Sequence, residues 1–510
     1  MKLGQLLKGV NVCDFKGDSE QEIEGLVYDS RHVKTGFMFI ALKGHKDDGH
    51  IYIHEAVQNG AVAIVAEEFK GLRANVSKAR VTDSREALSK IAARFYNYPF
   101  KGMNIIGITG TNGKTTTSYL LEEIFSRSGA RTGVIGTINY RFSGHEYPAP
   151  VTTPESLDLM RLLREMADRD VTDVILEVSS HALDQGRTGD CPFRMAIFTN
   201  LTRDHLDYHH TVEEYFKAKS LLFSSLKKDK PGDGSSAIIN MDDPWGEKLT
   251  ALTDAHIVTY GLGSGCQIRA DSIIADREGL WARLITPLGE KNIHSPLIGE
   301  INIYNILAAS AAALSLNIDL DSVADGIKQL QCVPGRLELV KNDQGLYLVV
   351  DYAHTPDALL KTLNSLRPLV EGKLLTVFGC GGDRDRGKRD EMGFVAGKNS
   401  TLVFITSDNP RSEDPFSIIE RIEKGVMKSG LSRLEWEAHD HLTGPGYFIE
   451  IDRREAIRKA VAMADEKDLV LIAGKGHEDY QIVGGERRYF NDREEAALAA
   501  SGVSHQSSAL

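Results

Sequence analysis

No cysteine pair in this chain has metal-site spacing, no apolar run approaches a membrane span, and anions outnumber cations. The five cysteines (Cys13, Cys191, Cys266, Cys332 and Cys380) are scattered and odd in number, which suits free thiols in a reducing cytoplasm. The stretch Met1-Lys2-Leu3-Gly4-Gln5-Leu6-Leu7 lacks the apolar core of a signal peptide, so the chain is expected to stay in the cytoplasm, with no membrane insertion. A formal net charge of −12 disfavours a nucleic-acid partner. Internal repeats and low-complexity blocks are missing too.

What is present has the composition of a globular enzyme, and 510 residues exceed what one core can organise. About three domains are expected, with boundaries near 1–100, 101–333 and 334–510. The segment that organises them is Ile105-Ile106-Gly107-Ile108-Thr109-Gly110-Thr111-Asn112-Gly113-Lys114-Thr115-Thr116. A buried strand breaks into glycines, and a helix is expected from about 115 to 128. Such a turn presents backbone N–H groups to phosphate oxygens at a helix N-terminus. Lys114 adds a mobile cation for the outer phosphates, and the Thr115 hydroxyl is placed to hold Mg²⁺. The general phosphate-loop spacing wants glycine at 108, where this chain has Ile108.

The fold class predicted is α/β throughout. Residues 1–100 carry strand-like runs at 25–28, 38–42 and 61–65 and a helix at 53–59, a small α/β unit. Within it, Tyr28-Asp29-Ser30-Arg31 is either a ligand contact or a turn capped by its own side chains. The middle unit predicts a mainly parallel sheet from strands at 104–109, 131–138, 173–178, 195–200, 236–240 and 256–260. A hairpin excursion over 267–296 and an alanine-rich helix from about 301 follow. The last unit predicts a doubly wound, Rossmann-like sheet from strands at 347–352, 374–379, 401–406 and 469–473. Residues 501–510 are small and polar, and fraying is expected there.

Polar groups follow these strands. Glu177 ends an apolar strand beside the phosphate loop, where a carboxylate either caps the next turn or binds Mg²⁺; the loop favours the metal. Ser179, Ser180, His181, Gln185 and Arg187 then crowd one donor-rich loop. His205, His209 and His210 follow the next strand, and the local pattern does not choose among them. On the helix expected over 212–226, Lys219 is seven residues from both Val212 and Leu226 and so shares their inward stripe, whereas Lys217 does not. An inward lysine must snorkel out, find a carboxylate, or lose its charge, and snorkelling is the default. In the third unit, the polar groups from Asp351 to Asp357, the glycine-rich and then charged stretch from Gly379 to Arg389, Ser407-Asp408-Asn409-Pro410-Arg411 and Gly474-Lys475-Gly476-His477-Glu478 all follow strands; the second is either a solvated loop or a close approach to a ligand. Together they suit a zwitterionic substrate, with arginine for a carboxylate and acids for an ammonium.

Together, Gly110-Thr111-Asn112-Gly113-Lys114-Thr115-Thr116, Glu177-Val178-Ser179-Ser180-His181, the stretch from Thr199 to Asp207, Pro334-Gly335-Arg336 and Asp351-Tyr352-Ala353-His354-Thr355-Pro356 resemble the Mur ligase family, ATP-dependent amide-forming enzymes of peptidoglycan assembly. The resemblance covers essentially the whole chain. Thr152-Thr153-Pro154 and the loops at 408–411 and 474–478 are similar to members that add the third stem-peptide residue, and Arg411 to those that take meso-diaminopimelate instead of L-lysine. The resemblance implies phosphorylation of the D-glutamate γ-carboxylate of UDP-MurNAc-L-Ala-D-Glu (UDP-N-acetylmuramoyl-L-alanyl-D-glutamate), then attack of the amine on the acyl phosphate. By match, Gly110, Thr111, Asn112, Gly113, Lys114, Thr115, Thr116, Asn305 and Arg336 contact ATP, and Thr115, Glu177 and His205 hold Mg²⁺. Lys219 matches a lysine that becomes a CO₂-derived carbamate. Ser30, Thr152, Thr153, Ser179, Gln185 and Arg187 match the UDP-muramoyl-peptide site. Arg384, Asp408, Asn409, Pro410, Arg411, Gly474 and Glu478 match the diaminopimelate pocket. Val151 departs from the pattern, since a polar residue often precedes the threonine pair. A monomer is expected. Rival readings are an L-lysine-adding family member, a folylpolyglutamate-synthetase-like ligase (disfavoured by residues 1–100), a phosphate-loop switch and a non-catalytic UDP-sugar binder.

Overall fold

The computed structural model describes residues 1–44, 47–69, 71, 75–226, 234–436 and 444–502. The fraying expected for the C-terminus falls mostly outside them; Ser501 itself ends a helix, Asp492–Ser501.

Buried apolar runs build three main sheets. The first has the strand order Val12–Lys16, Ser77–Val81, Ala63–Ala66, Phe37–Ile40, Gly25–Val27, parallel except at its first pair. Two of these strands, Val12–Lys16 and Ser77–Val81, lie outside the runs expected from sequence; the first is largely exposed and carries no apolar alternation.

The central sheet runs His256–Tyr260, Ser236–Asn240, Met195–Phe198, Asn104–Thr109, Asp173–Glu177, Thr132–Ile135, Asn139–Phe142, His145–Pro148. Its first six strands are parallel, and the last two add an antiparallel edge. The single strand expected over 131–138 is therefore corrected: it stops at Ile135, and the Gly136 N–H bonds to the Asn139 carbonyl as the chain turns into that edge. The excursion after the sheet is a three-stranded meander, Arg269–Asp276, Gly279–Thr286 and Gly289–Ser295. Helices Lys114–Arg127 and Asn302–Ser315 share one buried cluster that includes Ile108, Leu121, Ile197 and Ile306. The opposite face belongs to a cluster running from Leu3 through Ile91 to Phe223, so the first sheet shares its core with the second.

The third sheet runs Glu338–Leu339, Tyr347–Asp351, Leu469–Ala473, Leu374–Phe378, Leu402–Ile405, Gly446–Ile449, parallel except at its first pair. Apolar clusters on both of its faces make it doubly wound. Parallel strands send their C-terminal loops to one edge, which collects the polar loops of each unit. Among the described residues no helix is long and apolar enough to cross a membrane.

Candidate active site

Strand Asn104–Thr109 lies between Met195–Phe198 and Asp173–Glu177. The phosphate loop thus emerges between the loops that begin at Val178 and Thr199. Ile108 is fully buried and paired within the strand, opposite Glu177 and Ile197, so the position that departs from the general spacing belongs to the sheet and not to the loop. Gly110 and Gly113 have φ of +149° and +86°; a Cβ would strike Thr199 Oγ1 at the first and Asn305 Oδ1 at the second. Only glycine fits there. Lys114 Nζ donates to the carbonyls of Gly110 (2.8 Å) and Thr111 (2.9 Å), and burial holds its pKa below the usual lysine range. The Thr111 N–H bonds to the Asn200 carbonyl at 2.8 Å, and the Asn112 N–H to Asn200 Oδ1 at 3.0 Å. Thr116 is buried in the first turn of the helix.

Glu177 is almost wholly buried, and hydroxyls surround it. Its Oε2 accepts from Thr115 Oγ1 (3.0 Å) and Thr137 Oγ1 (2.8 Å), while Oε1 accepts from the Thr137 N–H (3.2 Å). Arg336, from the loop that opens the third unit, reaches Thr115 Oγ1 with Nη2 at 3.3 Å, and Thr117 Oγ1 donates to Asn305 Oδ1 at 3.4 Å. Asn305 and Arg336 therefore stand against the loop from two further elements.

Lys219 does not snorkel. It is 1% exposed on helix Val212–Ser224, as the seven-residue spacing predicts, and Lys217 is exposed. Its Nζ donates to the Gly110 carbonyl at 2.9 Å and lies 4.5 Å from the Tyr215 ring centroid. Burial, and then the charge of Lys114, depress its pKa well below the ordinary lysine value. The three histidines also separate. His209 is buried with Nε2 2.9 Å from Ser180 Oγ, and His210 is exposed. His205, at φ +54°, stacks edge-on to His181 at 4.8 Å and lines the main cleft, where its side chain stays 45% exposed.

Thr153 Oγ1 donates to the Glu177 carbonyl (2.9 Å) and accepts from the Ser179 N–H (3.0 Å). Arg187 bonds the Thr153 carbonyl at 3.1 Å and Gln185 Oε1 at 2.7 Å, and Thr152 Oγ1 lies 3.1 Å from Thr137 Oγ1. These five residues thus form one network with Glu177. Ser30 stands in the loop of the first sheet, its hydroxyl donating to Glu55 Oε2 at 2.8 Å, while Asp29 caps its own turn. Tyr28 OH ties that loop to Asp158 at 2.6 Å. Val151 exposes its side chain and uses only its carbonyl, which accepts from Tyr140 OH at 2.6 Å.

A cleft of about 480 Å³ opens between Asp204 and His205 on one side and Arg384, Asp408, Asn409, Arg411, Gly474 and Glu478 on the other. Pro410 is buried and is not among the lining residues. Asn409 Nδ2 donates to Glu478 Oε2 at 2.9 Å, and buried Lys475 lies 3.7 Å from Asp408 and 3.5 Å from Glu478. Burial, reinforced by Asp408, raises the Glu478 pKa.

Asp357 and Lys388 lie in polar stretches noted from the sequence, but neither was given a role of its own there. Asp357 Oδ2 accepts from Asn112 Nδ2 (3.2 Å) and Thr202 Oγ1 (2.8 Å), joining the third unit to the phosphate loop. Lys388 Nζ holds the His354 carbonyl at 2.8 Å. The hairpin Tyr480–Val483/Glu486–Tyr489 brings Tyr480 to the cleft; its one available signal was Gly484-Gly485, a two-residue turn with both φ positive.

A phosphate loop at the centre of a parallel sheet, facing a polar cleft shared with a second α/β unit, defines an α/β phosphate-loop enzyme class. Family models for the Mur ligase family, catalytic domain (residues 22–96), the Mur ligase middle domain (108–313) and the Mur ligase, glutamate ligase domain (335–476) match in succession. The chain belongs to the Mur ligase family. It is 47% identical over 503 residues to the UDP-N-acetylmuramoyl-L-alanyl-D-glutamate–2,6-diaminopimelate ligase of Geobacter metallireducens, covering 98% of each chain. It is 43% identical over 501 residues to the ligase of the same name from Bacillus licheniformis, covering 98% of this chain and 99% of that one. A solved structure of a ligase with this name aligns with a TM-score of 0.68 at 34% identity, over 98% of this chain and 99% of that chain.

Proposed function

We propose that this chain joins meso-diaminopimelate to the D-glutamate γ-carboxylate of UDP-N-acetylmuramoyl-L-alanyl-D-glutamate, converting ATP to ADP and phosphate through an acyl phosphate. The observation that carries the reading is the single cleft in which Asp204 and His205 face Arg411, Asp408 and Glu478. A side chain ending in both ammonium and carboxylate needs acids and a guanidinium together. The relatives' names describe the same ligation. In this reading residues 1–100 bind the UDP-muramoyl peptide, 101–333 bind ATP and 334–510 bind the amine.

The residues fit the nucleotide and metal that such chemistry requires. Lys114 bonds loop carbonyls that phosphate oxygens would replace, and Arg336 Nε is a buried donor with no partner among the described residues. No group of three or more His, Cys, Asp or Glu side chains poised for a metal occurs among those residues. In this reading Thr115 and Glu177, 3.0 Å apart, would hold Mg²⁺ with His205 and with phosphate and water oxygens. Bound there, Mg²⁺ would neutralise charge on the transferring phosphoryl group. Lys114 then holds the outer phosphates, with Asn305 and Arg336 beside the nucleotide. Thr152, Thr153, Ser179, Gln185 and Arg187, with Ser30, orient the peptide so that its carboxylate meets the phosphoryl group. Arg411 pairs with the distal carboxylate of the amine, and Asp408, Asn409, Gly474 and Glu478 receive its ammonium, with Arg384 at the rim. Walls from two units exclude water from the acyl phosphate.

Lys219 suits carbamate formation, because a neutral amine is the form that attacks CO₂, forming an N–C bond and releasing a proton. The resulting anion would lie beside Lys114, whose charge is one of the causes that depress the Lys219 pKa. One chain supplies every residue named, so the working unit in this reading is a cytoplasmic monomer. The test is phosphate release with the UDP-dipeptide and a panel of amines. Release requiring both substrates and favouring meso-diaminopimelate is expected; ATP hydrolysis independent of both would sink the ligase reading. Equal use of L-lysine would sink the role given to Arg411.

A further inference from the structure

Arg411 has a φ of +53°, a left-handed conformation that a side chain of this size adopts only where its surroundings impose it. The hairpin of Tyr480–Val483 and Glu486–Tyr489 supplies the constraint. The Arg411 N–H bonds to the Ile482 carbonyl at 3.0 Å, and the Arg411 carbonyl accepts from the Gly484 N–H at 2.9 Å. Both backbone polar groups of Arg411 are thus satisfied by this one element. Two residues upstream, Asn409 Oδ1 accepts from the Ile482 N–H at 2.9 Å. At the head of the loop, Gln481 Nε2 donates to the Asp408 carbonyl at 2.7 Å. The same strand brings Tyr480 into the cleft, its ring covered by the Arg487 guanidinium at 3.8 Å.

The hairpin has little core of its own. Its first strand is half-buried and its second exposed. Its hydrogen bonds to the loop at 408–411 are therefore a large part of what fixes the two segments together. We infer that this hairpin clamps the amine-selecting loop and that Gln481 is a positioning residue, setting amine selectivity by holding the Asp408 carbonyl and, through the loop, the guanidinium of Arg411. The inference rests on the proposed reading of Arg411 as the group that pairs with the distal carboxylate. Gln481 itself does not line the cleft. Its loss therefore moves a group that touches substrate without removing one.

The experiment uses the full chain and measures phosphate release with ATP and the UDP-dipeptide, comparing meso-diaminopimelate with L-lysine. Gln481→Met keeps the side chain's length and removes its donor, Gln481→Ala is a second donor-free variant, and Gln481→His keeps an N–H at similar reach. Losing one hydrogen bond predicts an approximately tenfold rise in KM for meso-diaminopimelate and an equal fall in its preference over L-lysine. The kcat and the KM values for ATP and UDP-dipeptide should stay within about twofold of wild type, and Gln481→His should retain the preference. Unchanged preference in both donor-free variants overturns the clamp. So does a parallel loss across all three substrates that follows a lowered melting temperature, or a Gln481→His variant as impaired as Gln481→Met. Arg411→Ala, assayed alongside, separates the layers. If it keeps the preference, the reading of Arg411 fails and the clamp with it; if it loses the preference while Gln481→Met keeps it, only the clamp is refuted.

Discussion

Lys219→Met separates the energetic burden of a buried amine from its use. In the wild type the Nζ is buried and depressed in pKa, while the same lysine in the unfolded chain titrates near 10.5. Between the depressed folded value and 10.5 the unfolded chain carries one more proton here than the folded chain. Folding stability therefore rises with pH across that window, by about 1.4 kcal/mol per unit, and is progressively lost as pH falls. Methionine removes this dependence. It also removes a hydrogen bond of roughly 1 kcal/mol to the Gly110 carbonyl, but that carbonyl keeps Lys114 Nζ as a donor at 2.8 Å. The net expectation near neutral pH is a variant at least as stable as wild type, and inactive. Urea unfolding in CO₂-depleted buffer at several pH values within the window should show wild type steeper by one proton. Equal slopes would mean that the folded lysine is protonated, and the argument from burial would be wrong. Lys219→Ala should regain part of its activity with a small carboxylic acid; full activity without it would refute any catalytic part for the side chain.

Gly113→Ala should lose nucleotide affinity by at least tenfold in a binding titration. The φ of +86° costs an alanine about 1 kcal/mol or more, and the new methyl meets Asn305. Arg453, fully buried, bonds Asp492 at 2.7 Å and the Ala473 carbonyl at 3.0 Å just before the loop of Gly474. Arg453→Met should destabilise by about 3–5 kcal/mol in urea unfolding, and a second change, Asp492→Leu, should recover much of that. Glu413 pairs with Arg389 beneath the loops at 381–389 and 408–411, and the hydrogen bonds from Arg389 hold its pKa down to about 2 from 4.5. Its stabilising share is present above 4.5 and lost as pH falls toward 2, so Glu413→Gln should flatten the acid limb of the stability profile over that interval.

The strands legible in the sequence are mostly those buried on both faces. Asn104–Thr109, Ser236–Asn240 and Leu469–Ala473 agree with the expected runs to the residue, because a continuous apolar run bounded by polar loops has no other stable place. His256–Tyr260, an edge strand buried on one face only, agrees as well. The strands that escaped notice are mostly edges. Val12–Lys16, His145–Pro148 and Glu486–Tyr489 are largely exposed, so their residues carry no alternation to read. Val12–Lys16 pairs with Ser77–Val81, far along the chain, while the other two close hairpins onto the strands just before them.

Local spacing alone determined that phosphates could bind at Gly110–Lys114, that Glu177 stands at a strand tip and that Lys219 turns inward, since strand and helix periods assign faces without reference to the rest of the molecule. What Lys219 meets was not local: its partner carbonyl lies 109 residues away. The choice among His205, His209 and His210 likewise waited on packing, which buries His209 against Ser180 and turns His205 into the cleft. The left-handed Arg411 and the hairpin that holds it belong to the same category. Periodicity fixes the direction of a side chain, but its partner, its charge and its backbone strain depend on which distant segments the fold brings against it.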